Sequence, residues 1–255
     1  MGSDWFAQTP FRVRLDWGRR GAKSAAERGD ILVVVDALCF STAVALAVSR
    51  GATIILCKKG EATAERAALF CAELAIHRDH VPARGRFSLS PGTLRAVTPG
   101  TRILLASLNG ATCAQYGAAV PALFVGAFVN AEAVANAVSL LLAKHPGTAV
   151  TVLACGERWQ EPDADDGNLR FAIEDFLAAG AILSHLPDTM PLSPEAKAAV
   201  AAFDAAHGSL LPTLRECGSG IELIGRGFPA DVDEAAALNT IAVAPVLRDG
   251  GFHRL

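Results

Sequence analysis

Residues Ile31 to Val35 form an unbroken run of β-branched residues and leucine that ends at Asp36. An apolar stretch without polar alternation suits a strand covered on both faces, as in a parallel sheet flanked by helices. Similar runs recur at Thr53 to Leu56, Arg102 to Ala106, Ala122 to Gly126 and Ala149 to Ala154, with a late candidate at Ile241 to Val243. Helical patterns lie between them. Ser41 to Arg50 is stopped by Gly51, and Glu61 to Ile76 is Ala-rich. The turn Asn109-Gly110 leads into Ala111 to Tyr116, and Asn130 to Lys144 follows. After a polar loop from Gly156 to Gly167, the pattern predicts a helix over Asn168 to Ala179 and further helix to about Cys217. Strands and helices alternating at this spacing predict an α/β fold, a three-layer α/β/α arrangement on a mixed, largely parallel sheet. With no Ser/Gly-rich linker, residues 1–255 read as a single domain. The units Val33 to Arg50 and Ile103 to Gly117 share a strand–turn–helix outline, a hint of internal duplication.

Composition narrows the function classes. Hydrophobic residues make up 51% of the chain and charged ones 19%, which excludes disorder. Lys and Arg total 23 against 26 Asp and Glu, a net charge of −3, so no general nucleic-acid surface is expected. The longest apolar run, Ala118 to Val129, is interrupted by Pro121 and Gly126 and falls short of the roughly 20 residues that span a membrane. The charged residues within Met1 to Arg20 leave no apolar segment of a secretory signal. Cys39, Cys57, Cys71, Cys113, Cys155 and Cys217 are widely spaced and show no CxxC pair, so neither a zinc ribbon nor a disulfide framework is expected. A reducing, cytoplasmic setting follows.

In such sheets ligands bind beyond the carboxyl ends of the strands. The polar residues that follow the apolar runs are Asp36, Ser41 and Thr42; Ser107, Asn109 and Gly110; Asn130; and Cys155, Gly156, Glu157 and Arg158. Asp36 is placed for metal binding or base chemistry, or else caps the next helix. The turn at Asn109-Gly110 offers helix N–H groups to an oxyanion, or is an ordinary turn. Glu174 and Asp175 read as mid-helix, either on a solvated face or buried and paired with a metal. Asp163, Asp165 and Asp166 form an acidic loop that is either solvated or attracts a hard cation. Cys155 is a candidate nucleophile or a structural thiol. The chain has no GxxxxGK[ST] and no strand-linked GxGxxG.

These segments, in this order, resemble the 2-phosphosulfolactate phosphatase family over nearly the whole length. The stretches that carry the resemblance are Arg12-Val-Arg-Leu-Asp-Trp-Gly18, Val33-Val-Val-Asp-Ala-Leu-Cys-Phe-Ser-Thr-Ala43, Ser107-Leu-Asn-Gly-Ala111, Val125-Gly-Ala-Phe-Val-Asn130 and Leu153-Ala-Cys-Gly156. Ile173-Glu-Asp-Phe-Leu-Ala-Ala-Gly180 is the most distinctive, and Ser219-Gly-Ile-Glu-Leu223, Asp231-Val232 and Asn239 also fit. The resemblance implies an α/β/α, Mg²⁺-dependent acid-type phosphatase that cleaves 2-phosphosulfolactate to sulfolactate and phosphate in coenzyme M synthesis. Two positions depart from the family pattern. Cys39 stands where an Arg is usual, and Ser88-Leu-Ser-Pro91 replaces a Gly-Asn-Ser-Pro stretch.

The expected activity is therefore hydrolysis of a small phosphorylated acid with Mg²⁺. Asp36 and Asp175 are the expected metal ligands, with Glu174 as a substitute. Glu157 positions or deprotonates water. Ser41, Thr42, Asn109, Gly110 and Asn130 hold the substrate, and Arg158 meets its second acidic group. A chain so poor in cations is expected to use the metal, helix N-termini and one or two arginines. The competing readings are an isochorismatase-like cysteine hydrolase, using Cys155 and Asp36 with Lys58 or Lys59, and a non-catalytic small-anion-binding module. A homodimer is a further possibility.

Overall fold

The computed structural model describes residues 5–58, 60–163 and 167–255. The first half of the chain alternates β1 (Val13–Trp17), α1 (Gly18–Arg28), β2 (Ile31–Val35), α2 (Phe40–Ser49), β3 (Thr53–Lys58), α3 (Ala64–Leu69) and β4 (Glu73–Leu74). There follow α4 (Pro91–Leu94), β5 (Arg102–Ser107), α5 (Gly110–Tyr116), β6 (Leu123–Gly126), α6 (Ala131–Lys144) and β7 (Val150–Ala154). A ribbon of β8 (Glu157–Asp163) and β9 (Gly167–Arg170) leads to helices α7 (Ile173–Leu183), α8 (Pro194–Ala206), α9 (Leu210–Glu216), α10 (Gly218–Gly225) and α11 (Pro229–Ala235). The hairpin β10 (Pro245–Arg248) and β11 (Gly251–Arg254) closes the chain.

Among the described residues, nine strands form one sheet in the order β1-β7-β2-β6-β10-β11-β3-β5-β4. Neighbours within β1-β7-β2-β6 and within β3-β5-β4 are parallel, and the terminal hairpin joins the two groups by antiparallel pairing. The sheet is thus mixed and largely parallel, with helices on both faces. Side chains of β2 explain this directly. Ile31, Val33 and Val35 enter one core, with residues of α6, α7 and α8; Leu32 and Val34 enter the other, with α1, α2, α4 and α5. Each fully buried side chain of this kind contributes roughly 1.5–3 kcal/mol. On the α7 side the packing is close enough to require a glycine: a Cβ on Gly180 would stand 2.1 Å from the Ala199 carbonyl oxygen of α8.

Several segments differ from the sequence reading, each for a physical reason. The Ala-rich stretch from Glu61 to Ile76 is not one helix. Its helical part is Ala64–Leu69, capped by Thr63 Oγ1 accepting the Arg66 N–H at 3.1 Å. Cys71, at φ 49°, then turns the chain so that Glu73–Leu74 pairs with the edge of β5. The expected loop from Gly156 to Gly167 is largely the β8–β9 ribbon, and the following helix starts at Ile173 rather than Asn168. Glu174 and Asp175 therefore lie in the first turn of α7 and not mid-helix, where negative charge suits the helix dipole. The late strand is Pro245–Arg248 and not Ile241 to Val243, and Val13–Trp17 is a strand the apolar pattern did not mark.

Candidate functional site

The two ends of β2 carry two buried carboxylates with opposite surroundings. At the amino end, Asp30 is neutralised. Arg14 reaches both its oxygens at 2.8 and 2.9 Å, Arg28 Nε donates at 2.9 Å and Thr151 Oγ1 at 2.7 Å. At the carboxyl end, Asp36 has no ion-pair partner among the described residues. Its Oδ2 accepts the Gly110 N–H at 2.7 Å and the Ser107 hydroxyl at 3.2 Å. Burial pushes its carboxyl up from the ordinary 3.8 to about 6; the Gly110 amide opposes this and the nearby Glu157 charge adds to it. A buried strand-end carboxylate held by dipoles rather than cations is poised to meet an incoming charge.

Cys39 is the N-cap residue of α2, and the Phe40 amide at the start of that helix also bonds the Asp36 carboxyl. Asp36 further reaches the start of α5, and this alters the expected role of Gly110. The Gly110 amide is committed to Asp36 and is not free for a phosphate oxygen. A Cβ here would lie 2.1 Å from the Phe40 ring and 2.8 Å from Asp36 Oδ2, so only glycine allows the approach. Ser41 and Thr42 are fully buried in the first turn of α2. Ser41 Oγ accepts the Asp36 N–H at 2.9 Å and donates to the Val34 carbonyl at 3.2 Å, while Thr42 donates to the Ala37 carbonyl at 2.9 Å. Asn130 is likewise interior, accepting from Ala127 N and donating to the Val125 and Val243 carbonyls. These three shape the strand ends and do not line the cleft.

Asp175 anchors two loops. Its oxygens accept the Ala37 N–H at 2.8 Å and the Gly156 N–H at 2.9 Å, so it ties the ends of β2 and β7 to α7. Burial, followed by the charges of Asp36 and Glu174, holds its carboxyl well above the usual range. Glu174 is turned toward Cys217, whose thiol is pushed up to about 12 by burial first and by the Glu174 charge second. Asp36, Glu174 and Asp175 thus do not converge on one point. Among the described residues no group of three His, Cys, Asp or Glu is arranged to hold an ion. The side chains of Asp163, Asp165 and Asp166 lie outside the described residues, as does Lys59.

The cleft in front of Asp36 encloses about 600 Å³. Glu157, Arg158 and Asn109 line it, as the strand-end positions suggested, and so do Arg19, Arg78, Arg226 and Ser219, which the sequence reading did not single out. Asn109 Nδ2 and the Arg158 amide both donate to Glu157 Oε1, at 3.0 and 2.8 Å. Asn109 Oδ1, Arg19 Nε and Arg158 Nε are buried without a partner. Burial and then the facing Arg19 lower the proton affinity of Arg158. Two guanidiniums left facing one another with unused N–H groups suit a multiply charged anion. Arg78 comes from the long loop before α4 and is held there by Asp231 of α11, its Nε donating at 2.9 Å. Ser90 Oγ donates to the other Asp231 oxygen, and Cys39 Sγ lies 4.0 Å from Oδ2, the oxygen that Arg78 bonds. A cation thus reaches the cleft beside Cys39 from a different part of the chain. The expectation of one or two arginines is an undercount.

Cys155 is fully buried at the end of β7. Burial and a hydrogen bond with Cys113 raise its thiol well above the ordinary value, so it has no thiolate to offer as a nucleophile. All six cysteines are free. No helix among the described residues is long and apolar enough to cross a membrane.

A carboxylate at a strand end faces an arginine-lined cleft on this α/β/α fold. Proteins similar to this chain are named as phosphatases, which are phosphoric monoester hydrolases. A family model described as 2-phosphosulpholactate phosphatase matches residues 20–250. A relative from Gloeobacter violaceus is 27% identical over 227 residues, 85% of this chain and 87% of its own. One from Carboxydothermus hydrogenoformans is 29% identical over 217 residues, 84% of each chain, and one from Thermosynechococcus vestitus is 25% identical over 252 residues, 93% of each. Each of the three is named a probable 2-phosphosulfolactate phosphatase. The chain belongs to the 2-phosphosulpholactate phosphatase family.

Proposed function

We propose that this chain hydrolyses 2-phosphosulfolactate to sulfolactate and phosphate, with Mg²⁺, in the cleft before Asp36. The observation that carries the reading is that Asp36 and Glu157, neither ion-paired among the described residues, share a single cleft with Arg19 and Arg158 and with Arg78 and Arg226, the last two held by Asp231 and Glu222. A substrate bearing phosphate, carboxylate and sulfonate needs several cations, and this cleft supplies them without a basic surface. Asp36, Glu157 and the orphaned Asn109 Oδ1 are hard oxygen donors in the same cleft. Mg²⁺ commonly takes only one or two protein carboxylates and leaves its other positions to water and phosphoryl oxygens, so the lack of a three-carboxylate group among the described residues is compatible with it. Asp36, Asn109 Oδ1 and Glu157 are the residues that would hold the ion, which would neutralise the phosphoryl charge when bound.

The arginines bind and orient the substrate. Glu157, with Oε1 fixed by Asn109 and the Arg158 amide, keeps its second oxygen for the attacking water and takes its proton. The water oxygen bonds to phosphorus as the ester P–O bond breaks, and the departing alkoxide takes a proton from cleft water. The six free cysteines support a reducing, cytoplasmic setting. Asp36→Asn and Glu157→Gln, assayed on 2-phosphosulfolactate with Mg²⁺, are each expected to lower kcat by about 10²-fold or more. Wild-type kcat in both variants would remove the assignment.

A further inference from the structure

We propose that the recess between the β8–β9 ribbon and the start of α10 is a second oxyanion subsite, which holds one of the two acid groups of the substrate, carboxylate or sulfonate, that are not transferred. This rests on the phosphatase reading for the identity of the substrate. The recess encloses about 490 Å³ and shares Glu157, Arg158 and Ser219 with the main cleft, so the two are continuous.

Four features converge there. The N-terminus of α10, an eight-residue helix, opens onto it with Gly218 and Ser219. Ser219 is only 7% exposed, yet its Oγ has no hydrogen-bond partner. A buried hydroxyl left unpaired in this way costs stability unless a ligand or water completes it. Arg170 lies against the first residue of α10: a Cβ on Gly218 would stand 2.7 Å from its Nη2, so glycine is what lets the guanidinium in. That guanidinium stacks at 5.4 Å over Trp159 and forms no ion pair among the described residues. Arg158, anchored through Nη1 to Asn168 Oδ1 at 2.7 Å, lines this recess as well as the main cleft.

Of the two carboxylates at the recess, Glu157 has one oxygen, Oε1, occupied by Asn109 and the Arg158 amide, and Glu222 is ion-paired with Arg226 at 3.2 Å. The Gly220 amide of α10 is spent on Cys217 Sγ at 3.3 Å, so the donors left for a ligand are the Ser219 hydroxyl and the two guanidiniums, which suit a sulfonate or carboxylate oxygen cluster. With the transferred phosphoryl group at Asp36, one remaining acid group falls naturally on the Arg158 side of the cleft.

The test is calorimetric binding of sulfolactate and, separately, of inorganic phosphate to the wild-type chain and to Ser219→Ala, Arg170→Ala and Arg170→Lys, alongside turnover of 2-phosphosulfolactate. Sulfolactate affinity is expected to fall about tenfold in Arg170→Ala and several-fold in Ser219→Ala, to recover partly in Arg170→Lys, and phosphate affinity to stay within about twofold. Unchanged sulfolactate affinity in both truncations, equal weakening of both ligands, or no binding of sulfolactate to the wild type would overturn the subsite. If the selective loss is seen while the wild type turns over no 2-phosphosulfolactate, the subsite stands and the substrate reading falls. If turnover is present and affinity does not move, the reverse holds.

Discussion

Replacing Asp36 by asparagine makes a prediction that links the chemistry of the cleft to the stability of the fold. Asn keeps an oxygen to accept the Gly110 N–H and the Ser107 hydroxyl but cannot ionise. In the wild type the folded carboxyl sits at about 6 against an ordinary 3.8, because burial and Glu157 disfavour its charge more than the Gly110 amide favours it. A group whose folded value is raised contributes stability that is fully present below about pH 3.8 and is lost as pH rises through about 6. The complete loss is about 3 kcal/mol at 1.36 kcal/mol for each pH unit. About half has already gone by pH 5, so the advantage of Asp36→Asn over the wild type should widen by about 1–2 kcal/mol between pH 5 and pH 8. Urea unfolding in EDTA at pH 5, 6.5 and 8 measures this. A gap between the two proteins that stays flat within about 0.5 kcal/mol would refute the reasoning, whichever is the more stable. Mg²⁺ at ten times its Kd should then return about 1.4 kcal/mol to the wild type at pH 8 and nothing to the variant.

Two further outcomes separate the scaffold from the site. Asp30→Ala leaves Arg14 buried without its partner and is expected to cost about 3–5 kcal/mol in denaturant unfolding, with KM unchanged while the protein remains folded. Iodoacetamide at pH 8 should modify the exposed Cys71 before any other thiol of the native protein, and Cys155→Ala should retain turnover; loss of activity on either treatment would revive a cysteine mechanism.

What could be read from the sequence follows from what each residue is buried against. The strands β2, β3, β5, β6 and β7 announce themselves because both their faces are covered and their apolar runs are continuous. β1 does not, because Arg14 and Asp16 interrupt it. Arg14 is interior only through its pairing with Asp30, 16 residues away. The Ala-rich segment before β4 favours helix locally, but pairing with the edge of β5 takes its last residues. The ribbon β8–β9 is polar because it stands beside the cleft rather than within a core, so it reads as loop.

The same rule governs the site. Polar residues after strands include Asp36, Asn109, Glu157 and Arg158, which do face the cleft, and Ser41, Thr42 and Asn130, which are spent on turns. Position at a strand end cannot separate these two groups; hydrogen-bond completion can. Arg19, Arg78 and Arg226 come from a helix start, a long loop and a distant helix end, so proximity in the chain gives no sign that they meet. The one signal for Ser219 was its place in the stretch Ser219-Gly-Ile-Glu-Leu223. The low overall count of cations is thus no measure of the charge in the cleft, because a few arginines are concentrated there.

The most direct measurement is phosphate release from 2-phosphosulfolactate by the purified wild-type chain, followed with Mg²⁺ and again after EDTA. The account predicts sulfolactate and phosphate in equal amounts with Mg²⁺, a rate abolished by EDTA and restored by added Mg²⁺. Absence of phosphate release under Mg²⁺, or an equal rate in EDTA, would contradict it.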